Sequence, residues 1–399
     1  MIPSIVLSAH TTGLGVIRAL GMKGVPVISV SYGDSDMGHV SKYVRESIIA
    51  PHPEKHEKRF VQLLLECHAR FGRSVLIPAD DSTLMVVSRN RKMLERYFIV
   101  ACPDYGVTEK VVDKKNTYAL AELLGIPAPK TVLPHTPAEL LAFAAVVGYP
   151  CIIKPCLSHV YYELFGFKAV KADDEAVLLD AWKKATAAGI EVMLQEYIPG
   201  DDANGVNYNS YSWDGKALVE FTAAKVRLDP PEIGVPSVVM SLTVPEVLDP
   251  GRRLLQGLGY SGYSCIEFKK DARDGVYKLM EVNGRHNRST LLAVRCGINF
   301  PWLEYSHLVR GVEPVSCRYA EGVYWIDEYR DTHLLAQQLR KGKFRLLRYV
   351  LPYFRKHLFA VFDVDDPEPF LKRNGNLFKR FWRQLAGRPI VLRRAVFER

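Results

Sequence analysis

Cysteine is scarce and unpaired in this chain. The seven residues Cys67, Cys102, Cys151, Cys156, Cys265, Cys296 and Cys317 are odd in number, scattered, and form no C-x-x-C pair. That excludes a disulfide scaffold, argues against a cysteine-built zinc site, and suits reduced thiols in the cytosol. Long apolar runs are missing too. The longest candidate, Leu140 to Ile153, is interrupted by Gly148, Tyr149 and Pro150 and stops at Lys154. It falls short of the ~20 residues that span a bilayer. Met1 to Gly15 has no basic region ahead of an apolar stretch, so no secretory leader is expected. There is no internal repeat and no low-complexity tract. Acid is depleted in one place only. Arg340 to Arg399 holds 16 Lys/Arg against 5 Asp/Glu, a balance of +11, while the rest of the 399 residues stands at −2. A basic tail of this kind suits nucleic acid, an anionic membrane surface or an acidic partner, and a solvated helical face explains it equally well. Nucleic acid is not expected, because no recognition-helix or finger pattern appears and the body is near neutral.

What is present is a folded body of two or three units, with 48% hydrophobic and 24% charged residues. The first ~110 residues alternate strands (Ser4–Ser8, Val25–Val30, Ser74–Ile77) with helices (Gly13–Gly24, His56–Phe71), which implies a parallel α/β sheet. Gly13 and Gly15 begin like a dinucleotide fingerprint, but Arg18 stands where its third glycine would be, so no nicotinamide site is expected. From Val111 the pattern changes. Helices are predicted over 111–124, 134–147, 175–188 and 247–258. Thr136 is the N-cap of the second, with Pro137 in its first turn. Strands are predicted at 151–154, 168–171, 192–197, 265–269 and 277–282. Trp213-Asp214-Gly215-Lys216 reads as a hairpin turn.

Three segments carry chemistry. Cys265-Ile266-Glu267-Phe268 and Leu279-Met280-Glu281-Val282-Asn283-Gly284-Arg285 read as paired strands. Alternation puts Glu281, Asn283 and Arg285 on one face, where Glu267 can join them. Two carboxylates and an amide oxygen suit Mg²⁺ shared with phosphate, and an arginine beside them suits developing negative charge. Tyr149-Pro150-Cys151-Ile152-Ile153-Lys154-Pro155 ends an apolar strand on a lysine, a natural partner for phosphate. Leu194-Gln195-Glu196-Tyr197-Ile198-Pro199-Gly200-Asp201-Asp202 is a strand, a turn and an acid pair. Its backbone can meet a purine edge and its acids a ribose. Each string alone is also compatible with ordinary solvated strands and turns.

Their order and spacing resembles the ATP-grasp superfamily over roughly Val111 to Gly311. Within it the chain looks similar to carboxylate–amine ligases near D-aspartate ligase and the large chain of carbamoyl-phosphate synthase. The resemblance implies a pre-ATP-grasp α/β domain (1–110), a small lobe (111–190), a large lobe (191–312) and a basic C-terminal extension (313–399). It implies ATP and Mg²⁺ (Mn²⁺ as an alternative ion), and acid and amine substrates joined through an acyl phosphate. By this resemblance Lys114 or Lys115 is the outer phosphate lysine and Lys154 the inner one. Gln195, Glu196, Tyr197 and Ile198 meet adenine. Asp201, Asp202 or Asn204 lies near ribose. Glu267, Glu281 and Asn283 hold metal. Arg285 steadies the acyl phosphate, and Lys225 and Arg227 reach the γ-phosphate or the acid. Arg288 and Asn287 hold a substrate carboxylate. The usual glycine-rich lid is replaced by an aromatic loop, 156–167, whose phosphate contacts would come from Ser158, His159 or Lys168.

The expected protein is therefore a cytoplasmic ligase acting on an amino acid or small acidic metabolite. A bicarbonate-using carboxylase and a non-catalytic nucleotide-binding adaptor are the alternatives. In the tail, Phe378, Phe381 and Trp382, flanked by Lys379, Arg380 and Arg383, suit an interfacial membrane helix and peripheral contact with an anionic membrane, with packing on the core as the alternative. Asp363-Val364-Asp365-Asp366-Pro367 has the look of a tail motif in ligases associated with the cell envelope.

Overall fold

A computed structural model describes residues 1–33, 36–340 and 346–375. The apolar runs near the N-terminus form a five-stranded parallel sheet, in the order Val44–Ile49, Val27–Ser31, Ser4–Leu7, Val75–Pro78, Ile99–Val100. Ser4–Leu7, Val27–Ser31 and Val75–Pro78 are buried throughout, as parallel strands covered on both faces must be. The outer strand Val44–Ile49 is one that sequence reasoning missed. It reads VRESII and only half of it faces protein. The strand order reverses between Ser4–Leu7 and Val75–Pro78, which opens a crevice at their carboxyl ends.

The first turn is tight. Ser8 sits at φ 78°, and a Cβ on Gly13 would lie 1.9 Å from the Ser8 carbonyl oxygen. Replacing Gly13 by alanine gains helix propensity but forces the turn apart. We expect a net loss of about 1–3 kcal/mol, read as a lower denaturation midpoint. An unchanged midpoint would show that the turn yields freely.

The predicted helix over 111–124 is two helices, Tyr105–Val112 and Lys114–Leu123. Asp113 is extended between them and accepts a hydrogen bond from the Lys115 amide (3.1 Å). The break places Lys114 at a helix start. Thr136 caps Pro137–Val147 by accepting from the Glu139 amide (3.2 Å), as expected. The 156–167 segment is not a loop: it contains the helix Ser158–Phe165, ended by Gly166 at φ 78°. Tyr161 is buried and packs on Phe165 and Phe167 at 4.5 and 5.6 Å between ring centres.

Two further sheets hold the rest. A four-stranded sheet runs Thr131–Val132, Val192–Glu196, Cys151–Pro155, Val170–Ala172. The division drawn at 190/191 therefore falls one strand early, because Val192–Glu196 pairs between two small-lobe strands. A seven-stranded sheet runs Tyr277–Asn283, Gly262–Lys270, Gly205–Trp213, Lys216–Asp229, Val235–Ser241, Tyr324–Ile326, His357–Phe359. Its hairpin turn at Asp214-Gly215 has both residues at positive φ, the conformation this dipeptide favours. One core joins Ile5, Leu76 and Val111 to Tyr208, Ile266, Phe268 and Val282. Each such buried side chain contributes about 1.5–3 kcal/mol, so the N-terminal sheet and the large sheet are held together.

Described residues past 312 contribute to this body. Tyr324–Ile326 and His357–Phe359 complete the large sheet. The acid-rich motif near the end docks on the N-terminal domain. Asp366 accepts from Arg18 Nε (2.9 Å), Ser41 Oγ (2.7 Å) and the Lys42 amide (2.8 Å). Arg18 Nη2 donates to the Val361 and Asp366 carbonyls, both at 2.8 Å. The residue that breaks the glycine fingerprint is thus an anchor. Among the described residues no helix is long and apolar enough to cross a membrane. Phe378, Phe381 and Trp382 lie outside them.

Candidate active site

A cleft lies between the four-stranded and seven-stranded sheets. Its walls include Ile152, Ile198, Leu228, Phe268 and Met280, and its charged lining includes Lys154, Lys168, Lys225, Glu267 and Glu281. Glu267 and Glu281 are direct partners across the antiparallel pair Gly262–Lys270 and Tyr277–Asn283, which puts both carboxylates on one face. Asn283 follows two residues after Glu281 and donates to Glu267 Oε1 (3.2 Å).

Each carboxylate is neutralised by a lysine from a different element. Lys114 Nζ meets Glu281 Oε1 at 2.6 Å, and Lys225 is hydrogen-bonded to Glu267. Lys115 instead pairs with Glu191 (2.8 Å) on the outside. Of the two lysines, only Lys114 reaches a carboxylate that lines the cleft. Lys154 donates to Tyr118 Oη (2.9 Å) and to the Met280 carbonyl (2.8 Å). Tyr118 was not anticipated, although it lies four residues after Lys114 and so on the same helix face.

The titrations follow from this crowding. Burial opposes the charge on Glu281, but Lys114, Lys168 and Lys154 outweigh it and hold the carboxyl well below the usual range. Burial likewise opposes the charge on Glu267, and Lys225 overrides it. For Lys154 burial wins over the two glutamates, and its pKa is lowered. The two carboxylates and the Asn283 amide form an oxygen-only donor set that fits Mg²⁺. Among the described residues no group of three or more His, Cys, Asp or Glu is placed to hold a metal. Further ligands would have to come from water or phosphate, which is the habit of Mg²⁺.

The remaining sequence-derived candidates divide. Gln195, Glu196, Tyr197, Ile198, Asp201 and Asp202 all line the cleft. Some of them also make structural bonds. Gln195 donates to Thr131 (2.9 Å), and Glu196 pairs with Arg273 (2.6 Å). Tyr197 donates to Glu232 (3.0 Å). Both oxygens of Asp202 accept backbone amides, from Leu228 and Glu232, at 2.8 Å. Asn204 is turned to the Lys270 carbonyl (3.1 Å), away from the lining. Arg227 is drawn off by a two-pronged pair with Asp331, both at 2.8 Å, and does not face the cleft. A one-residue irregularity between Lys225 and Arg227 accompanies their divergence. Asn287 is buried against Asn209 Oδ1 (2.7 Å) and Cys265 Sγ (3.3 Å). The side chains of Ser158 and His159 lie outside the described ones.

Arg285 and Arg288 belong to a charged cluster whose other members sequence reasoning missed. Arg285 pairs with Asp81 (2.8 Å) at the start of the Asp81–Arg89 helix and donates to Asn283 Oδ1 (3.1 Å). Arg288 is hydrogen-bonded to Asp327. The carboxyl ends of the N-terminal strands bring in His10, Asp36 and Asp80. His10 Nδ1 accepts from the Thr12 amide (3.1 Å), so a neutral ring carries its proton on Nε2, which stands 3.7 Å from Asp80 Oδ2. Burial lowers the His10 pKa and favours that neutral form. Tyr32 donates to Asp80. The helix Ser158–Phe165 reaches this edge. Glu163 meets His52 (2.8 Å) and Lys55 (2.7 Å), and the His52 ring stands edge-on to Tyr32 at 5.1 Å. Cations and acids thus lie together, linked to Glu267 through Arg285 and Asn283. No local motif announces this cluster, because its residues come from strand ends far apart in sequence.

No protein-family profile matches the chain. Among characterised proteins it is 27% identical over 242 residues to D-aspartate ligase of Enterococcus faecium, covering 56% of each chain. It is 23% identical over 321 residues to D-alanine–D-alanine ligase of Pseudomonas entomophila, covering 75% of this chain and 87% of that one. The chain thus spans little more than half the length of the D-aspartate ligase. Among solved structures it superposes on the biotin carboxylase domain of the Hydrogenobacter thermophilus 2-oxoglutarate carboxylase, crystallised with MgADP and bicarbonate. The TM-score is 0.63 at 15% identity, over 81% of this chain and 73% of that one. That likeness is one of fold.

Proposed function

We propose that this chain is an ATP-grasp ligase, a reading supported by its fold and its sequence relatives, and that it joins a carboxylate to an amine through an acyl phosphate. The observation that carries the reading is the convergence of Lys154, Lys225, Glu267 and Glu281 in one cleft, with Lys114 bonded to Glu281. Lysines gathered around this glutamate pair suit the polyanionic tail of ATP. The apolar walls Ile152, Ile198, Leu228 and Met280 suit its ring. Mg²⁺, held by Glu267, Glu281 and Asn283, would offset charge on the phosphates.

The chain's own residues then position and screen. Lys154, fixed by Tyr118 and the Met280 carbonyl, holds one phosphate. Lys225 and Lys114 have exchangeable carboxylate partners and can turn to others. A substrate carboxylate oxygen attacks the terminal phosphorus, and the bond to ADP breaks. Arg285, steadied by Asp81, faces the acyl phosphate so formed. The amine attacks the acyl carbon, the bond to phosphate breaks, and the amine loses a proton. Catalysis is positioning and electrostatics, with no enzyme nucleophile. The aromatic helix Ser158–Phe165 keeps water from the intermediate.

We assign the acid substrate to the amino acids, because this cluster offers both signs of charge. Asp36 and Asp80 suit an ammonium group, and Arg285 and Arg288 suit a carboxylate. Asn287, buried in the sheet, is not part of that assignment, and neither is Arg227. The enzyme is placed in the cytoplasm, with its C-terminal part in peripheral contact with an anionic membrane. A carboxylase reading draws on fold likeness alone, whereas the relatives matched by sequence are ligases.

The test is ADP release with MgATP and hydroxylamine across a panel of amino acids and other carboxylic acids. Hydroxylamine stands in for the unknown amine. Acid-dependent ADP together with hydroxamate is the expected result. ADP release that answers to bicarbonate alone would move the protein to the carboxylases.

A further inference from the structure

The stretch Leu346–Phe354 is helical, an α-turn over Leu346–Val350 followed by a 3₁₀-turn over Leu351–Phe354. One face is fastened to the body. Tyr349 and Pro352 are buried, Tyr349 Oη donates to the Asp331 carbonyl (2.9 Å), and Tyr353 Oη donates to the Asp331 carboxylate (2.6 Å). The opposite face is apolar and open. Leu347, Leu351 and Phe354 follow helical spacing i, i+4, i+7 and are 83%, 45% and 82% exposed, with Leu346 beside them at 59%. Single exposed leucines are ordinary, but four in nine residues on an anchored element form a ridge.

The surroundings of the ridge are cationic. Arg340, Arg355 and Lys356 are exposed on either side of it. From residue 340 to residue 362 the sequence contains no Asp or Glu. The nearby acids Asp327 and Asp331 are already taken by Arg288 and Arg227. Neither of these two acids is therefore left to pair with those cations.

We infer that this ridge is the element that docks the protein on an anionic membrane surface, with Leu346, Leu347, Leu351 and Phe354 entering the headgroup layer. A nucleic acid or an acidic protein would use the cations and leave the ridge in water. A lipid surface uses both: charge draws the segment in over a Debye length, and apolar side chains hold it. The fastening of Tyr349 and Tyr353 to Asp331 keeps the ridge facing outward. The inference rests on the peripheral placement proposed above and not on the ligase chemistry.

Flotation of the full chain with vesicles of phosphatidylcholine, alone or mixed with phosphatidylglycerol, tests it. Binding is expected only to the mixed vesicles and should weaken as salt is raised. Arg355→Glu/Lys356→Glu should weaken it by about fivefold or more per reversed residue. Leu347→Glu/Phe354→Glu should weaken it by about tenfold or more. Ile49→Glu, a control at a residue 87% exposed elsewhere, should leave it unchanged. ADP release without vesicles, followed on the same preparations, should be the same in all variants. Absence of binding to mixed vesicles at low salt overturns the inference. So does binding that Leu347→Glu/Phe354→Glu leaves intact, since charge alone would then explain it. So does a wild-type dimer in sedimentation that this double variant dissociates, since the ridge would then face a second copy.

Discussion

Replacing Glu281 by glutamine is expected to lower acid-dependent ADP release by about 10²–10³-fold while the fold persists. The carboxylate stands opposite Glu267 across a strand pair and takes the Lys114 ammonium at 2.6 Å. Glutamine keeps the shape and one acceptor but loses the charge that a divalent cation needs. Lys114 then loses its counter-charge in a buried setting, so some stability goes with it. The pH dependence separates the two effects. The folded-state pKa of Glu281 lies below the ordinary ~4.3 of an unfolded chain, so its stabilising contribution is present above that value. It is lost as pH falls through the folded pKa. The difference in stability between wild type and Glu281→Gln should therefore be constant near neutrality and shrink in acid, while the loss of turnover at neutral pH stays. Full turnover in the variant would remove Glu281 from the metal-binding reading. Loss of turnover with a collapsed melting curve would assign it to folding instead.

The largest effect on stability is expected at the other end of the chain. Asp366→Ala should destabilise the protein by about 3–5 kcal/mol, seen as a melting temperature lower by roughly 10 °C. Arg18 and Asp366 have side chains 2% and 1% exposed, and Asp366 also takes the Ser41 hydroxyl and the Lys42 amide. Alanine leaves a buried guanidinium without its charge partner and removes two further acceptor contacts. The penalty is mostly that of the stranded charge. The paired change Arg18→Met/Asp366→Leu should therefore recover much of it, because the charge leaves together with its partner. A melting curve for Asp366→Ala within a degree of wild type would show that the C-terminal segment is not held at this point. Similar losses in the single and the paired variant would move the cause to the Ser41 and Lys42 contacts.

Local chemistry was legible wherever it is carried by a continuous stretch of chain. The strand ending in Lys154, the hairpin at Asp214-Gly215, the cap at Thr136 and the paired strands holding Glu267 and Glu281 depend on side-chain period and turn residues within a few positions. Those features carried the fold class, and the structure brings Lys154, Glu267 and Glu281 together in one cleft. Charge arithmetic likewise located the basic tail.

The tertiary structure decided matters of direction and partnership. Lys114 and Lys115 are chemically alike. Only the extended residue Asp113 between two helices sends one to Glu281 and the other to Glu191. Lys225 and Arg227 share one strand, yet Lys225 meets Glu267 and Arg227 leaves for Asp331, a residue 104 positions later. His10, Asp36 and Asp80 come together only because three parallel strands end at the same edge. Arg18 looks like a failed glycine in a fingerprint until Asp366 arrives to bury it. Period, propensity and turn chemistry act over a few residues, so the sequence by itself determined which elements form and which side chains they carry. Charge pairing and burial act through space between residues far apart in the chain, so only the packed structure decided which of those side chains meet.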